Sequence, residues 1–342
     1  MGVNLRDLLI RKEISFKDLN NRVLAVDSYN MLYQFLTTIR TVDGTPLMDS
    51  HGNVTSHLIG LFSRTASFLQ KGLKPIFVFD GKKPDLKTKE LERRSSLKQE
   101  ARTKYKIAVK KKDIAAMKKY AGRFSYLSKE MVEQAKELVK LMGLPVVQAP
   151  SEGEAQASQI VKNGDAWAVI SQDYDSLLYG TDRLIQNLSI AGRRKKIGRL
   201  SYQTVKPLLI NLSDNLNNLK IDNEKLIVLS MLVGTDYNPK GVKGIGPKNA
   251  LKLVQKHDDF DELFKEVKWD EHVDVPWTEI FYLFKKMPVT NNYNLKFKQP
   301  DKEGLIKFLV KKHDFSIERV NSALDSVLKT HKKKSQKKLG DF

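Results

Sequence analysis

Acidic residues follow short apolar runs at several places in the sequence. Three of these runs each end in an aspartate: residues 23–27 in Asp27, residues 76–80 in Asp80, and residues 167–173 in Asp173. A fourth apolar run is soon followed by Glu152 and Glu154. Carboxylates that converge repel one another, so a cluster of them persists only with cations present or with shifted pKa values. We therefore predict that these acids form a cation-binding site.

Each acid also has an ordinary explanation in local structure. These explanations are a turn at Asp80, a capping box with Ser151 as N-cap and Glu154 as third residue, a helix start at Asp173 and Asp175, and a polar loop at Asp236. For any single residue the structural explanation is at least as good as the functional one. The repetition at equivalent strand ends weakens it, because local structure gives no reason for several acids to recur there.

The types of donor limit the chemistry. The chain has no cysteine, and its six histidines are scattered away from the strand ends. Oxygen ligands without thiolate or imidazole suit Mg²⁺ or Mn²⁺ rather than zinc. A site with this many carboxylates could hold two ions roughly 3.5–4 Å apart, an arrangement that supports in-line displacement at a phosphodiester. Disulfides and cysteine nucleophiles are excluded, and no Ser–His–Asp set competes.

The same apolar runs indicate how the acids are positioned. Continuous runs of this length are typical of strands that are covered on both faces, as in parallel sheets. Helical patterns lie between them at residues 58–69 and 129–142, the second followed by Gly143 and Pro145. This alternation predicts an α/β fold with a mostly parallel central sheet flanked by helices. In open α/β sheets the functional crevice lies at the carboxyl ends of the strands, where the aspartates fall.

The charge balance indicates a polyanionic partner. Sixty Lys and Arg against forty Asp and Glu give a formal net charge of +20 and a pI near 9.7. Such a surplus favours nucleic acid, DNA or RNA, with an anionic membrane far behind. No run approaches the ~20 apolar residues that span a bilayer, and the N-terminus is too quickly polar for a secretory signal. We expect a soluble intracellular protein.

Residues 82–129 differ in character from the rest of the chain. Basic residues recur there with few apolar partners, and neither proline nor glycine interrupts residues 85–121. Because such a segment cannot build much core, we predict a helical arm over the site. A solvated helical face is the alternative, as for most charge runs. The excess of one sign directly after Asp80 favours contact with DNA.

A glycine-rich motif occupies residues 241–250. Its closely spaced Gly241, Gly244 and Gly246 let the backbone approach a phosphate, and Pro247 begins a helix whose N–H groups point at that phosphate. We predict a helix–hairpin–helix-type region that grips a DNA backbone without reading its sequence. A plain turn between packed helices is the alternative.

Two further segments carry structural expectations. The basic residues 191–196 are expected to form the tip of a hairpin. Helices should dominate from there to about Asp325, and residues 329–338 should form a disordered basic tail.

Several motifs together resemble the archaeal and eukaryotic flap structure-specific endonucleases, a family of 5′ nucleases with a PIN-like fold. The motifs are Val26-Asp27-Ser28-Tyr29, Val78-Phe79-Asp80-Gly81-Lys82, Ala149-Pro150-Ser151-Glu152-Gly153-Glu154-Ala155, Ser171-Gln172-Asp173-Tyr174-Asp175 and Gly234-Thr235-Asp236-Tyr237-Asn238. Their order and spacing are specific, and the resemblance covers nearly the whole chain. The spacer between the Asp80 and Glu152 regions is short, which favours a flap endonuclease over a relative with a long insert.

The resemblance implies that seven carboxylates are divided between two Mg²⁺ ions, for which Mn²⁺ could substitute. Asp80, Glu152 and Glu154 would hold the first ion, with Asp27 supporting it through water, and Asp173, Asp175 and Asp236 would hold the second. Lys87 and Arg94 would contact the scissile phosphate and act with Asp80 and Asp175 in catalysis. Their spacing of seven residues also puts the two basic residues on one face of a helix.

The resemblance further implies contacts with DNA. Tyr33 matches an aromatic residue against which a base can stack, Gly2 would lie near the site, and Arg40 would contact the substrate. The downstream duplex, with a K⁺ ion at the motif as in relatives, would be held by Gly241, Gly244, Gly246 and Lys248. At the terminus, a sliding-clamp-binding peptide of form Q-x-x-L-x-x-F is matched by Gln336, Leu339 and Phe342. The chain ends where a second aromatic is usual, and a basic tail with a chance Leu and Phe is the alternative.

The implied activity is structure-specific cleavage of 5′ flaps, with 5′–3′ exonuclease activity, in DNA replication (Okazaki fragment maturation) and repair. The alternatives are a relative that cuts Holliday junctions or bubbles, and a non-catalytic scaffold that binds DNA and a clamp. The implied organisation is nuclease regions at residues 1–100 and 130–236, an arm at 82–129, a DNA-binding region at 237–328 and a tail at 329–342. We expect a monomer in an archaeal cytoplasm, or in a nucleus if the source is eukaryotic.

Overall fold

A computed structural model describes residues 2–195 and 202–339, with side chains described for residues 2–192 and 204–329. Within these residues, seven strands form one sheet and two more pair as a hairpin. The strands are β1 Lys12–Glu13, β2 Val23–Asp27, β3 Lys74–Phe79, β4 Val146–Gln148, β5 Ala168–Ile170, β6 Arg183–Gln186, β7 Gly192–Lys195, β8 Tyr202–Val205 and β9 Leu208–Asn211.

The main sheet is mostly parallel, as the apolar runs predict. Its strand order is β1-β9-β6-β5-β2-β3-β4, in which β6, β5, β2, β3 and β4 run parallel and β9 and β1 are antiparallel to their neighbours. The three runs predicted to be strands form β2, β3 and β5, which are adjacent at the centre of the sheet. Their carboxyl ends lie side by side, so the acids that end or follow these strands meet at one edge.

Helices cover the sheet and continue beyond it. They are α1 Ser28–Thr38, α2 Ser56–Gln70, α3 Thr88–Lys110, α4 Ile114–Ala121, α5 Lys129–Leu141, α6 Gly153–Lys162, α7 Asp175–Leu178, α8 Leu212–Leu219, α9 Asn223–Val233, α10 Pro247–Lys256, α11 Phe260–Glu266, α12 Trp277–Lys285, α13 Lys302–Leu305 and α14 Ile317–Leu339. Short 3₁₀ turns occur at Asp85–Lys87, Gly122–Phe124, Leu188–Ile190 and Trp269–Glu271, and a π-helical turn at Ile306–Lys311. No helix in the described ranges is long and apolar enough to cross a membrane.

Two apolar layers hold the sheet between them. Successive strand residues point to opposite faces, and in β2 this sends Ala25 into one layer and Leu24 and Val26 into the other. The first layer is built with α6, α7 and α8 to α12, and the second with α1, α2, α5 and α14. This burial on both faces explains why the strands read as continuous apolar runs.

The arm is helical, as expected, but it is divided. Helix α3 ends at Lys110, the chain turns through Lys112 with a φ of 52°, and Asp113 caps α4 by accepting a hydrogen bond from the Ala116 N–H. The two helices pack against each other, and the α3 side chains that are buried include Ala101 and Ala108. The absence of proline and glycine therefore permitted a helix throughout, but the left-handed turn at Lys112 and the cap at Asp113 divide it.

Two structural expectations need correction. The expected hairpin is present, but residues 192–195 form its first strand, β7, which pairs antiparallel with β8; residues 196–201 lie outside the described residues. The expected disordered tail continues instead as α14 to Leu339. Residues Val320, Leu324 and Val327 are buried at helical spacing and anchor the start of this helix on the core. From residue 328 to 339 the sequence is rich in lysine and has no proline or glycine, so nothing in it ends the helix before Leu339.

Candidate active site

Asp27 and Asp80 are positioned by the ends of two neighbouring parallel strands. Asp27 is the last residue of β2 and caps α1, since its Oδ1 accepts a hydrogen bond from the Asn30 N–H at 3.0 Å. Asp80 follows β3 directly, and its Oδ1 accepts from the N–H of Gly153 at 2.9 Å. Gly153 is the first residue of α6, so the Asp80 carboxylate lies where the helix dipole favours negative charge.

The start of α6 differs from the capping box considered for it. Glu152, not Ser151, is the N-cap residue, and the Ser151 hydroxyl instead donates to the Lys82 carbonyl at 2.9 Å. A Cβ at Gly153 would collide with Oδ1 of Asp80. Glycine is therefore required between the two glutamates, because it lets the Asp80 carboxylate reach the helix end while Glu152 and Glu154 flank it.

Two polar residues that the sequence analysis missed hold the carboxylates in place. The Ser171 hydroxyl lies 3.0 Å from both Oδ2 of Asp27 and Oε1 of Glu154. The Asn30 side chain donates to Oδ2 of Asp173 at 3.0 Å. Both residues sit beside candidate ligands in the sequence, Ser171 two residues before Asp173 and Asn30 three after Asp27. That adjacency was the signal that could have identified them.

Asp175 joins the cluster from the N-terminus of α7. Its Oδ1 accepts a hydrogen bond from the Val3 N–H at 2.9 Å, and Gly2 lies so close that a Cβ there would overlap the carboxylate. The structure therefore places Gly2 at the site, as the resemblance implies. The start of the chain is held against the sheet edge by a site carboxylate.

The arm contributes two cations. The Lys87 Nζ lies 2.7 Å from Oε2 of Glu152 and 3.1 Å from Oδ2 of Asp236, and Arg94 pairs through Nη2 with Oδ1 of Asp236. Burial alone would lower the pKa of Lys87, but the Glu152 and Asp236 carboxylates outweigh it and raise that pKa. Both predicted catalytic cations therefore lie in direct contact with predicted metal ligands.

The carboxylates behave electrostatically as one group. Burial, and next the charge of Asp80, raises the pKa of Asp27 to about 7. Burial and then Glu152 raise the pKa of Asp80 to about 6, and burial and then Asp236 raise that of Asp175 to about 7. Burial, followed by the charge of Asp175, also raises the pKa of Glu154. Buried acids that destabilise one another's charged forms need cations nearby.

This donor set fits divalent metal. All seven candidate ligands are carboxylates, the donors that Mg²⁺ and Mn²⁺ prefer. Among the residues that the structure describes, no three acidic or histidine side chains converge closely enough to surround an ion. The carboxylates are instead directed in part towards Lys87, Arg94 and Ser171. The side chains would therefore have to turn towards a bound ion, and the assignment of individual ligands stays a prediction.

The raised pKa values predict a pH-dependent stabilisation by metal. Carboxyls with a raised folded-state pKa contribute stability below the unfolded value near 3.8, and this contribution is lost as pH rises to about 7. Because Mg²⁺ binds the charged forms, it should raise the melting temperature by a few degrees at pH 8 and much less at pH 5. A ligand at a hundredfold excess over its Kd raises the free energy of unfolding by about 2.7 kcal/mol. Calorimetry with NaCl at matched ionic strength provides the control. An equal Mg²⁺ effect at both pH values would contradict the cluster.

Two other residues predicted to contact DNA, Tyr33 and Arg40, have different surroundings from each other. Tyr33 is half-buried beneath the arm, with the Lys98 Nζ 5.2 Å from its ring centroid. The Arg40 guanidinium donates to the carbonyls of Leu36 and Gly44 and to the Ser125 hydroxyl, at 2.6 to 2.8 Å. The structure thus gives Arg40 a role in joining α1 to the chain that follows the arm, and its contact with DNA stays a prediction.

The glycines of the motif lie in two kinds of surroundings: Gly241 is packed against the backbone, whereas Gly244 and Gly246 face open space. Gly241 has a φ of 56°, and a Cβ there would lie 2.5 Å from the Leu232 carbonyl oxygen, so packing demands glycine. Gly246 is the N-cap residue of α10 at a φ of −92°, and no atom would lie within 4 Å of its Cβ. A Cβ at Gly244 would also meet no atom within 4 Å, but the φ of 84° lies in the left-handed region that favours glycine. Lys248 is the second residue of α10 and is exposed.

The predicted clamp-binding residues lie at the edge of what the structure describes. The backbone at Gln336 and Leu339 belongs to the last turns of α14, and nothing is described of their side chains. Phe342 lies outside the described residues.

Comparison with known proteins identifies the class of this site. Residues 1–101 match the XPG N-terminal domain and residues 143–236 match the XPG I-region, and together these contain all seven acids. The chain is therefore a nuclease, a phosphodiester hydrolase of the XPG type. It is 50% identical over 339 residues to flap endonuclease 1 of Pyrococcus abyssi, covering 99% of this chain and 97% of that protein. The chain belongs to the flap endonuclease 1 family.

Further relatives agree with this assignment. Flap endonuclease 1 of Thermofilum pendens is 49% identical, covering 97% of this chain and 96% of that protein. The solved flap endonuclease-1 from Methanococcus jannaschii is 44% identical, with a TM-score of 0.76 and coverage of 97% and 100%. The Holliday junction-resolving enzyme GEN1, in complex with product DNA and Mg²⁺, has a TM-score of 0.62, covers 93% of this chain and 75% of that one, and shares the fold alone at 18% identity. The predicted family and fold class are confirmed.

Proposed function

We propose that this nuclease cuts DNA at the base of 5′ flaps, and that it acts with two divalent metal ions in replication and repair. The observation that carries the proposal is the group of carboxylates at the sheet edge, two of which form ion pairs with Lys87 and Arg94 of the arm. Relatives that are about half identical over nearly the whole chain are named flap endonucleases, which supports the flap as substrate. A 5′–3′ exonuclease activity on recessed ends belongs to the same proposal.

The metal ligands would be divided as the resemblance implies. Asp80, Glu152 and Glu154 would hold one Mg²⁺, with Asp27 acting through water, and Asp173, Asp175 and Asp236 would hold the other; Mn²⁺ would substitute for either. When bound, the ions would activate a water for attack and stabilise charge on the entering and leaving oxygens. Ser171 and Asn30 would keep the ligands oriented, because each bonds to a carboxylate.

The arm supplies the remaining chemistry in this proposal. Lys87 and Arg94 would turn from their carboxylates to the scissile phosphate and stabilise the charge that develops on it. Helices α3 and α4 stand directly after the Asp80 loop, so a strand that reaches the carboxylates passes beside them. Tyr33, half-buried under the arm next to Lys98, would stack on a base near the cut.

The glycine motif would hold the downstream duplex, with K⁺ bound there as in relatives. Neither packing nor backbone angle explains glycine at Gly246, so close approach of a phosphate is the reason we propose. Gly246→Ala should therefore weaken binding of duplex DNA about tenfold, the worth of one charge-assisted hydrogen bond, without lowering the melting temperature. Gly241→Ala is the comparison, since it should lower the melting temperature. Unchanged affinity in a folded Gly246→Ala variant would remove the motif from the interface.

We propose nuclease regions at residues 1–100 and 130–236, the arm at 82–129, the DNA-binding region at 237–328 and the tail at 329–342. The tail would bind a sliding clamp through Gln336, Leu339 and Phe342, and a chain ending at residue 335 should then lose affinity for the clamp in a titration. We also propose a monomer that acts in an archaeal cytoplasm; the archaeal sources of the relatives support the assignment to archaea.

The function is tested by comparing substrates. Purified protein is given 5′-flap, bubble and four-way-junction DNA of equal length, first with Mg²⁺ and then with EDTA. We expect cleavage of the flap at its base with Mg²⁺ and none with EDTA. Preferred cleavage of the junction or bubble would favour the junction- or bubble-cutting alternative. Binding without cleavage of any substrate would favour a non-catalytic scaffold.

A further inference from the structure

Glu90 is an acidic residue buried in an arm that is otherwise basic and exposed. It lies in the first turn of α3, three residues after Lys87 and four before Arg94. Its side chain is 2% exposed, although most of the helix around it faces solvent. A buried carboxylate is costly unless it is fully paired, so its partners indicate what it is for.

Both oxygens of Glu90 are occupied by arginines. Its Oε1 accepts from Arg94 Nε at 2.6 Å and from Arg93 Nη2 at 2.8 Å, and its Oε2 accepts from Arg93 Nε at 2.6 Å. Burial alone would raise the pKa of Glu90, but the hydrogen bonds from Arg93 and Arg94 outweigh it and lower that pKa. Glu90 is thus a charged anchor for two guanidinium groups.

The anchor determines which part of Arg94 faces the site. Because Glu90 takes the Nε hydrogen, the guanidinium plane is set from one edge and Nη2 is directed at Oδ1 of Asp236. The other oxygen of Asp236 contacts the Lys87 Nζ at 3.1 Å, and the same Nζ contacts Glu152. Glu90 therefore ends a line of alternating charges that runs from the arm into the carboxylate cluster.

An ordinary surface pair on the same helix shows the difference. Glu100 and Lys104 form an i, i+4 pair like that of Glu90 and Arg94, but their side chains are 57% and 48% exposed. Exposed pairs of this kind contribute little and do not fix geometry. Removal of Glu100 and removal of Glu90 each take one negative charge from the arm. A comparison of the two variants therefore distinguishes an effect of charge from an effect of where the carboxylate lies.

We propose that Glu90 is a positioning residue for phosphodiester cleavage, which holds the Arg94 guanidinium so that its Nη edge faces the scissile phosphate. This inference rests on the role proposed above for Arg94. The planar guanidinium presents its donors in a fixed fork, so control of one edge determines the direction of the other. If Glu90 acted only through charge, its removal would strengthen DNA binding and leave the rate unchanged or higher. A positioning role predicts the opposite effect on the rate.

The test compares Glu90→Gln with Glu100→Gln in the full chain. Single-turnover cleavage of a 5′ flap at saturating enzyme with Mg²⁺ should fall about tenfold in Glu90→Gln, since small misplacements of a catalytic group are costly. Affinity for the same flap, measured with Ca²⁺, should stay within about twofold, as should both quantities in Glu100→Gln. Equal rates for the two variants would overturn the inference.

Two further variants distinguish position from stability of the arm. Glu90→Gln combined with Arg94→Ala should be no slower than Arg94→Ala alone, because both changes remove one function. Arg93→Gln, which leaves the contact between Glu90 and Arg94 in place, should cleave at close to the wild-type rate. A double variant much slower than Arg94→Ala, or an Arg93→Gln variant as slow as Glu90→Gln, would assign Glu90 to folding of the arm and overturn the inference. Full activity of Arg94→Ala would instead contradict the proposed role of Arg94.

Discussion

Replacing Asp80 with alanine should reduce the single-turnover rate of flap cleavage by about a thousandfold or more. Asp80 follows β3, its carboxylate accepts a hydrogen bond from the first residue of α6, and it is one of the carboxylates proposed to hold metal. Metal-ion stabilisation of transition-state charge is worth several kcal/mol, and each 1.36 kcal/mol is a factor of ten in rate. Asp175→Ala should behave alike, because Asp175 lies in the same cluster from the second ligand set. Rapid-quench assays at saturating enzyme measure this rate.

Affinity separates this loss from a loss of folding or binding. Binding of the flap in the presence of EDTA should stay within about threefold of the wild type, since cationic contacts elsewhere supply most of it. Asp85→Ala is a matched control, because Asp85 is an exposed acid five residues from Asp80. Its rate should match that of the wild type. Full activity in Asp80→Ala or Asp175→Ala would rule that residue out as a metal ligand.

Replacing Lys87 or Arg94 with alanine should slow cleavage by about a hundredfold, with little change in affinity. Each places a positive charge on a carboxylate of the cluster, Lys87 on Glu152 and Asp236, Arg94 on Asp236. Donors that stabilise charge only as it develops contribute about 10²–10³ in rate. Each is also one of many basic residues that can contact DNA, so the loss of binding should be small. Single-turnover rates and equilibrium titrations with Ca²⁺ measure the two quantities.

The control for the arm cations is Lys104→Ala. Lys104 lies on α3, as Arg94 does, is half-exposed, and pairs with Glu100. Its removal should change neither rate nor affinity by more than about twofold. If the Lys87 or Arg94 variant lost affinity as much as rate, the residue would contribute uniform binding of substrate rather than catalysis. Unchanged rates would remove it from the site.

Two basic residues of the arm offset part of the negative charge of the carboxylate cluster. Burial first, and then the charge of a neighbouring acid, raise the pKa values of Asp27, Asp80 and Asp175. Lys87 and Arg94 compensate part of this negative charge from a different segment of the chain. The two residues proposed to act on the scissile phosphate therefore also pair the arm with the carboxylates of the nuclease core.

Much of the fold could be predicted from local pattern. A strand that is buried on both faces is a continuous apolar run, whereas a surface strand alternates between apolar and polar residues. Continuous apolar runs therefore identified β2, β3 and β5. Glycine and proline marked the end of α5 and the start of α10. Local pattern was less useful where propensities conflict. The tail was expected to be disordered because it is basic and polar, yet it lacks the residues that end a helix, and α14 continues through it.

The sequence by itself determined the donor types, their recurrence at strand ends and the excess of basic charge, because each is a property of composition or of short spacing. Only the tertiary structure decided which side chains meet. Lys87 contacts Glu152 and Asp236, which lie 65 and 149 residues further along the chain, and Ser171 lies between Asp27 and Glu154. Such contacts depend on strand order and on how helices pack over the sheet. Local periodicity carries no information about them, because it records which face of an element is buried and not what lies opposite that face.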